Sequence, residues 1–120
     1  MADRRVVLVV DDEAITREVV AAMLEIEGVE VHAAHDGATA LEMAQDVRPD
    51  LVLLDVMMPG MNGIEVCRRL SGDTRVVMLT ATADDDTRRA ARDAGAEAYL
   101  LKPFSARDLY AVVEERVGGA

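Results

Sequence analysis

The sequence predicts an α/β fold of the flavodoxin-like (βα)5 kind, a three-layer sandwich around a five-stranded parallel sheet in the order 2-1-3-4-5. Three observations carry this. Five short apolar runs alternate with five segments of helical periodicity. The central run, Leu51 to Leu54, has four apolar residues with no polar alternation, as a strand buried on both faces requires. Helical segments of about ten residues between strands impose parallel pairing through right-handed crossovers. A chain of 120 residues is one domain with a single core, and the flavodoxin-like order suits that size.

Each element can be justified in turn. Arg5 to Val10 is an apolar strand ending on Asp11-Asp12. From Ala14 to Glu27 the period changes, and Ile15, Val19, Ala22, Met23 and Ile26 are expected to face inward. Gly28 stops that helix. Glu30 to Ala34 is a short strand, and Asp36-Gly37 opens a helix that carries Leu41 and Ala44 inward. Arg48-Pro49-Asp50 breaks it before the central strand. That strand stops just past Asp55, because Pro59-Gly60 and Asn62-Gly63 are turn signals.

Ile64 to Leu70 is the third helix, with Val66 and Leu70 inward. Val76 to Leu79 is the fourth strand, ending at Thr80. Asp84 to Ala94 is helical with a narrow inward face of Ala90, Ala91 and Ala94, so it should be the most weakly anchored helix. The pairs Asp84/Arg88 and Asp85/Arg89 stand at i,i+4 and could support it. The Arg88, Arg89, Arg92 cluster reads as a solvated face before it reads as a surface for an acidic partner or a second protomer. Gly95 ends that helix, Ala98 to Leu101 is the last strand, and Ser105 caps a fifth helix built on Leu109, Val112 and Val113. Gly118-Gly119 reads as a fraying end or the start of a missing segment.

Composition narrows the function classes. Apolar residues are 51% and charged residues 30%, which is globular composition. The net charge of -10 argues against direct nucleic-acid binding by this domain and against an anionic membrane surface. The single cysteine, Cys67, excludes an internal disulfide, fits a reducing compartment and is expected to be a buried helix residue. No run approaches membrane-spanning length and no targeting segment is visible, so the cytoplasm is the expected compartment.

In the expected topology the notable polar residues fall on one edge, where ligands bind beyond the carboxyl ends of the strands. Asp11 and Asp12 follow strand one, Asp55 ends strand three, Thr80 strand four and Lys102 strand five. Singly, each has a plainer reading: Asp12 as a helix cap, Asp55 and Thr80 as turn starters, Lys102 as a solvated charge. Jointly they form a site. Two carboxylates about 4 Å apart repel by roughly 4 kcal/mol at an effective dielectric near 20, and Lys102 offsets one charge, so a second cation is expected. Oxygen ligands without His or Cys favour Mg²⁺, or Mn²⁺, over zinc. Such an ion keeps positions open for phosphoryl oxygens, and an Asp beside it can be a nucleophile toward phosphorus.

The residues Asp11-Asp12, the run LVLLDVMMPGMNG around Asp55, Leu79-Thr80-Ala81 and Leu101-Lys102-Pro103-Phe104 together resemble the receiver domain of two-component response regulators, over nearly the whole chain, 1–120. The resemblance implies that Asp55 accepts a phosphoryl group from a histidine kinase or a phosphotransfer protein. It implies that Asp12, Asp55 and the backbone carbonyl of Met57 bind Mg²⁺, with Asp11 acting through a metal-bound water. Thr80 would bond one phosphoryl oxygen and Lys102 pair with another, while Tyr99 would be the switch aromatic that turns inward as Thr80 moves. A half-buried tyrosine filling the sheet edge is the plainer reading of Tyr99. Met57 and Thr82 occupy positions that in this family modulate how fast the acyl phosphate hydrolyses, and a thioether cannot hold an attacking water strongly.

Other classes compete less well. A magnesium-dependent phosphatase with an Asp nucleophile needs an Asp-x-Asp pair and a substrate cap, and Met57 stands where the second Asp belongs. A flavin or nucleotide binder of this topology needs a Gly-rich loop after strand one, where this chain has acids. A degenerate receiver is conceivable, but nothing in the site residues suggests it. The sequence names neither kinase, output nor oligomeric state: a single-domain regulator, a phosphorelay shuttle and a piece of a longer chain all fit it.

Overall fold

The computed structural model describes residues 5–82 and 84–117, so the Gly118-Gly119 reading lies outside the described residues. Ten elements alternate as expected: β1 Val6–Val10, α1 Ala14–Ile26, β2 Glu30–Ala34, α2 Gly37–Val47, β3 Leu51–Asp55, α3 Gly63–Leu70, β4 Arg75–Thr80, α4 Asp85–Asp93, β5 Ala98–Leu101 and α5 Ala106–Val117. The five strands pair in parallel in the order β2-β1-β3-β4-β5.

The strands bury alternate residues on opposite sides, as period two dictates. Leu8, Val10, Val52, Leu54, Val76 and Met78 pack with Val66, Cys67, Leu70 and Ala91, the layer of α2, α3 and α4. Val7, Val9, Leu51, Leu53, Val77 and Leu79 pack with Val20, Leu24, Leu109 and Val113, the layer of α1 and α5. β3 is buried throughout, so the carboxylate at its end leaves the densest part of the molecule.

Caps act where side chains can reach orphan amides. Asp36, Asn62 and Asp84 each accept a backbone N–H from the first turn of α2, α3 and α4. Ser105 Oγ accepts from Asp108 N–H at 3.1 Å at the start of α5. Gly28, at φ 81°, lets the chain leave α1 in the left-handed region. Cys67 is fully buried, as expected.

α1 corrects the sequence reading. Ile15, Val19 and Ile26 are 75%, 41% and 78% exposed, and Ala22 is also exposed; Val20 and Leu24 form the buried face, with Met23 half-buried. The helix carries two adjacent apolar stripes, and periodicity cannot choose between them. The short link from β1 chooses, since Glu13 N–H is bonded to Asp11 Oδ1 at 2.9 Å and fixes the phase at which the helix begins. Ile26→Gln should therefore change stability by less than about 0.5 kcal/mol in urea unfolding, whereas Leu24→Ala should cost at least about 2 kcal/mol. Equal costs would contradict this phase.

α4 differs in its charge pairing. Asp84 accepts from Thr87 N–H at 2.6 Å and from the Thr82 hydroxyl at 3.2 Å, while the Arg88 guanidinium lies 5.0 Å from the centre of the Tyr99 ring. Among the described residues neither Asp84/Arg88 nor Asp85/Arg89 is an ion pair; in the first, the cap uses Asp84 and the aromatic face uses Arg88. Ala91 is the only residue of α4 that is fully buried among those described, with Ala94 buried at its end.

Candidate functional site

Parallel register brings the polar strand ends together. Val10 pairs with Leu54, Asp55 with Leu79 and Thr80 with Leu101, so Asp11, Asp55, Thr80 and Lys102 follow one another across the carboxyl edge of four neighbouring strands. Hydrogen bonds extend the ladder past the strands: Val56 N–H donates to Leu79 O at 3.0 Å and Lys102 N–H to Thr80 O at 2.8 Å. The peptide bond between Lys102 and Pro103 is cis.

Asp11, Asp55 and Thr80 are the buried polar residues of the described chain, at 0%, 6% and 1% exposure. Asp12 is exposed and stands over them. Lys102 Nζ donates to Asp11 Oδ2 at 2.7 Å and lies 3.6 Å from Asp55 Oδ1 and 3.7 Å from Glu13 Oε1. Met57 N–H donates to Asp55 Oδ1 at 3.3 Å, and Asp11 Oδ1 accepts from Glu13 N–H. Lysine and main-chain amides thus satisfy part of what burial takes from the carboxylates.

The charge balance remains negative. The Asp55 carboxyl is pushed up to about 6, by burial first and by the charge of Asp11 next, against the pull of Lys102. Burial alone would lower the Lys102 ammonium, but its hydrogen bond to Asp11 and the charges of Asp11 and Asp55 raise it. Asp11, Asp12 and Asp55 each offer a carboxylate oxygen, and the three lie within 4.8 Å of one another. An all-oxygen set of three acids facing one lysine fits a hard divalent ion.

Thr80 is placed for this edge but engaged elsewhere. Its hydroxyl donates to Thr82 O at 3.0 Å and accepts Thr82 N–H at 3.1 Å, which holds it toward the β4–α4 loop. Tyr99 is half-buried against the α4 side of the sheet beneath Arg88. Sequence reading missed three contributors. Glu13 reaches Lys102, Arg17 Nη1 donates to Asp11 O at 2.7 Å, and Arg88 covers Tyr99. The first two are legible in retrospect, since Glu13 follows Asp12 directly and Arg17 stands one helical turn later. For Arg88 the local spacing pointed to Asp84 instead of Tyr99, because its partner depends on how α4 seats.

The profile of the response regulator receiver domain family matches residues 7–114. The DNA-binding response regulator MtrA of Mycolicibacterium paratuberculosis is 45% identical over 116 residues, covering 95% of this chain and 52% of that protein. The response regulator MprA of Mycobacterium tuberculosis is 46% identical over 108 residues, covering 88% of this chain and 47% of that protein. The chain thus spans about half the length of these curated relatives. Among solved structures, the chemotaxis protein CheY4 of Vibrio cholerae superposes with a TM-score of 0.92 at 32% identity, covering 96% of this chain and all of that one.

Proposed function

Because this chain belongs to the response regulator receiver domain family, the phosphorylation-controlled switches of two-component signalling, we propose that its Asp55 accepts a phosphoryl group from a phosphohistidine protein, a sensor kinase or a phosphotransfer protein. One observation carries the residue assignment. A buried carboxylate ends the central strand 3.6 Å from a lysine ammonium and within 4.8 Å of two further acids. No structural role requires that concentration of charge.

In the proposed transfer an Asp55 oxygen attacks phosphorus, the P–N bond of the donor breaks, and its electron pair leaves on the imidazole nitrogen. With its pKa near 6, Asp55 is mostly ionised at pH 7 and ready as a nucleophile. Lys102 sits between Asp11 and Asp55 and can follow the developing charge onto a phosphoryl oxygen. Asp12, Asp55, the Met57 carbonyl and, through a water, Asp11 would hold Mg²⁺ or Mn²⁺. The ion supplies the positive charge that lets carboxylate and phosphoryl oxygens share one site. Thr80 would exchange its bonds to Thr82 for one to the phosphoryl group, opening space toward Tyr99.

The exposed α1 stripe of Ile15, Val19 and Ile26 starts at the edge that holds Asp12 and suits the donor protein's approach. The regulatory output is proposed to leave through the Tyr99 face. DNA binding belongs to the MtrA relatives; a domain within a chain of net charge -10 is suited to control such an output rather than to touch DNA itself. We place the whole of 1–120 in this one domain.

Incubation with acetyl phosphate and MgCl₂, with an EDTA control, tests the reading. A lasting adduct on Asp55 supports it; steady turnover of the donor without an adduct points to a phosphatase. Met57 is 74% exposed beside the site and offers only a weak acceptor, so the adduct should be slow to hydrolyse. Met57→Asn should shorten its half-life by about tenfold, or about 1.4 kcal/mol of barrier. An unchanged or longer half-life would refute that account.

A further inference from the structure

We propose that Met57 is an oxidation site through which a peroxide shortens the life of the phosphoryl group on Asp55, an inference that rests on the phosphoacceptor reading above. Met57 is 74% exposed, whereas Met58 and Met78 are 8% and 0% exposed and Met23, Met43 and Met61 pack half-buried against the core. Access therefore selects Met57 among the described methionines. The one thiol does not compete: Cys67 is fully buried, and burial pushes its pKa up to about 11. The residue is also tied to the acceptor, since its N–H donates to Asp55 Oδ1 at 3.3 Å.

The step is a two-electron oxygen transfer. The thioether sulfur attacks one oxygen of hydrogen peroxide, the S–O bond forms, the O–O bond breaks, and the departing hydroxide takes the proton from the sulfur-bound oxygen to become water. Sulfur is oxidised and the peroxide reduced. The product replaces a weak acceptor by a strongly polar oxygen, carried on the atom after Cγ, where glutamine carries its carbonyl oxygen.

That oxygen is carried two residues past Asp55, by a residue whose N–H donates to the Asp55 carboxylate at 3.3 Å. It can accept a hydrogen bond from water and aim its lone pair at phosphorus, which the thioether does poorly. Water then forms the new P–O bond, the bond to Asp55 breaks, and the carboxylate leaves as inorganic phosphate is released. Sulfoxide is enzymatically reducible, so the effect would be reversible. A peroxide would thereby reset the switch without touching its kinase.

Dilute hydrogen peroxide on the full chain, peptide mapping by mass spectrometry, and decay of the acetyl-phosphate-derived adduct test this. We expect Met57 to gain oxygen first and decay to quicken about fivefold. Met57→Gln should decay faster than the untreated protein, and the decay of Met57→Leu should not respond to peroxide. Oxidation of Met61 or Met43 ahead of Met57, or an oxidised Met57 with unchanged decay, overturns the inference alone. Failure of untreated protein to form any adduct overturns the phosphoacceptor reading, and this inference with it.

Discussion

Asp55→Asn should carry no phosphoryl group after incubation with acetyl phosphate and MgCl₂, measured as intact mass. The amide is nearly the same size, so the fold should persist while the nucleophilic oxygen and one cation ligand are lost. No neighbour replaces it: Asp11 is held by Lys102 at 2.7 Å and by the Glu13 amide, and Asp12 is exposed at the rim. An adduct of equal yield in Asp55→Asn would remove Asp55 from the reaction.

The same variant has a stability signature with a definite sign. Asp55 is raised from 3.8 to about 6, so the folded state holds that proton more tightly than the unfolded chain does. In EDTA the protein should therefore lose stability as pH rises from about 4 to about 6, and stay at the lower level above that window. Solvent at the open edge screens the effect, which leaves on the order of 1 kcal/mol. Asp55→Asn should lack this slope and be more stable than the parent at pH 7, by urea unfolding. Added Mg²⁺ should narrow the difference by stabilising the parent.

Gly63→Ala should be among the most destabilising single substitutions in the chain. A methyl group at Gly63 would fall on the Asp55 carbonyl oxygen, 2.8 Å from Val56 Cα and 2.9 Å from Asp55 C. Those are backbone atoms at the exit of β3, where Gly63 N–H also donates to Val56 O at 2.9 Å. Neither strand nor helix can yield without moving the carboxylate, so a cost of about 4 kcal/mol is expected, with a fall in Tm of more than about 10 °C. The adduct yield should fall with it. Gly37→Ala is the comparison: its methyl would meet Val66 Cγ2 at 2.8 Å and Met61 Cβ at 3.2 Å, side-chain rather than backbone atoms, so a smaller loss of about 2 kcal/mol is expected. Equal losses would mean that α3 is not seated on β3 as described.

Much of the site was legible in the residues because strand ends obey strong local rules. The uninterrupted run Leu51 to Leu54 had to be a buried strand, and Asp55 had to end it. Asp11-Asp12, Thr80 and Lys102 each closed another apolar run, and parallel topology sends all those ends to one edge. The inward face of α1 was not legible, because VVAAML is apolar around most of its circumference. Nor was the fate of Asp84 and Arg88 in α4, where local spacing paired them but the cap and Tyr99 engage them instead.

What the sequence by itself determined was the alternation of elements, the parallel sheet and the identity of the acids, lysine and threonine at its edge. Periodicity and turn chemistry are short-range, and they needed only a few neighbouring residues to act. Tertiary structure alone decided which stripe of α1 is buried, that Thr80 rests on Thr82, that Arg88 covers Tyr99, and that Gly63 must have no side chain. Those outcomes depend on atoms brought together from distant parts of the chain, and packing at close distance leaves one arrangement where the local pattern permits several.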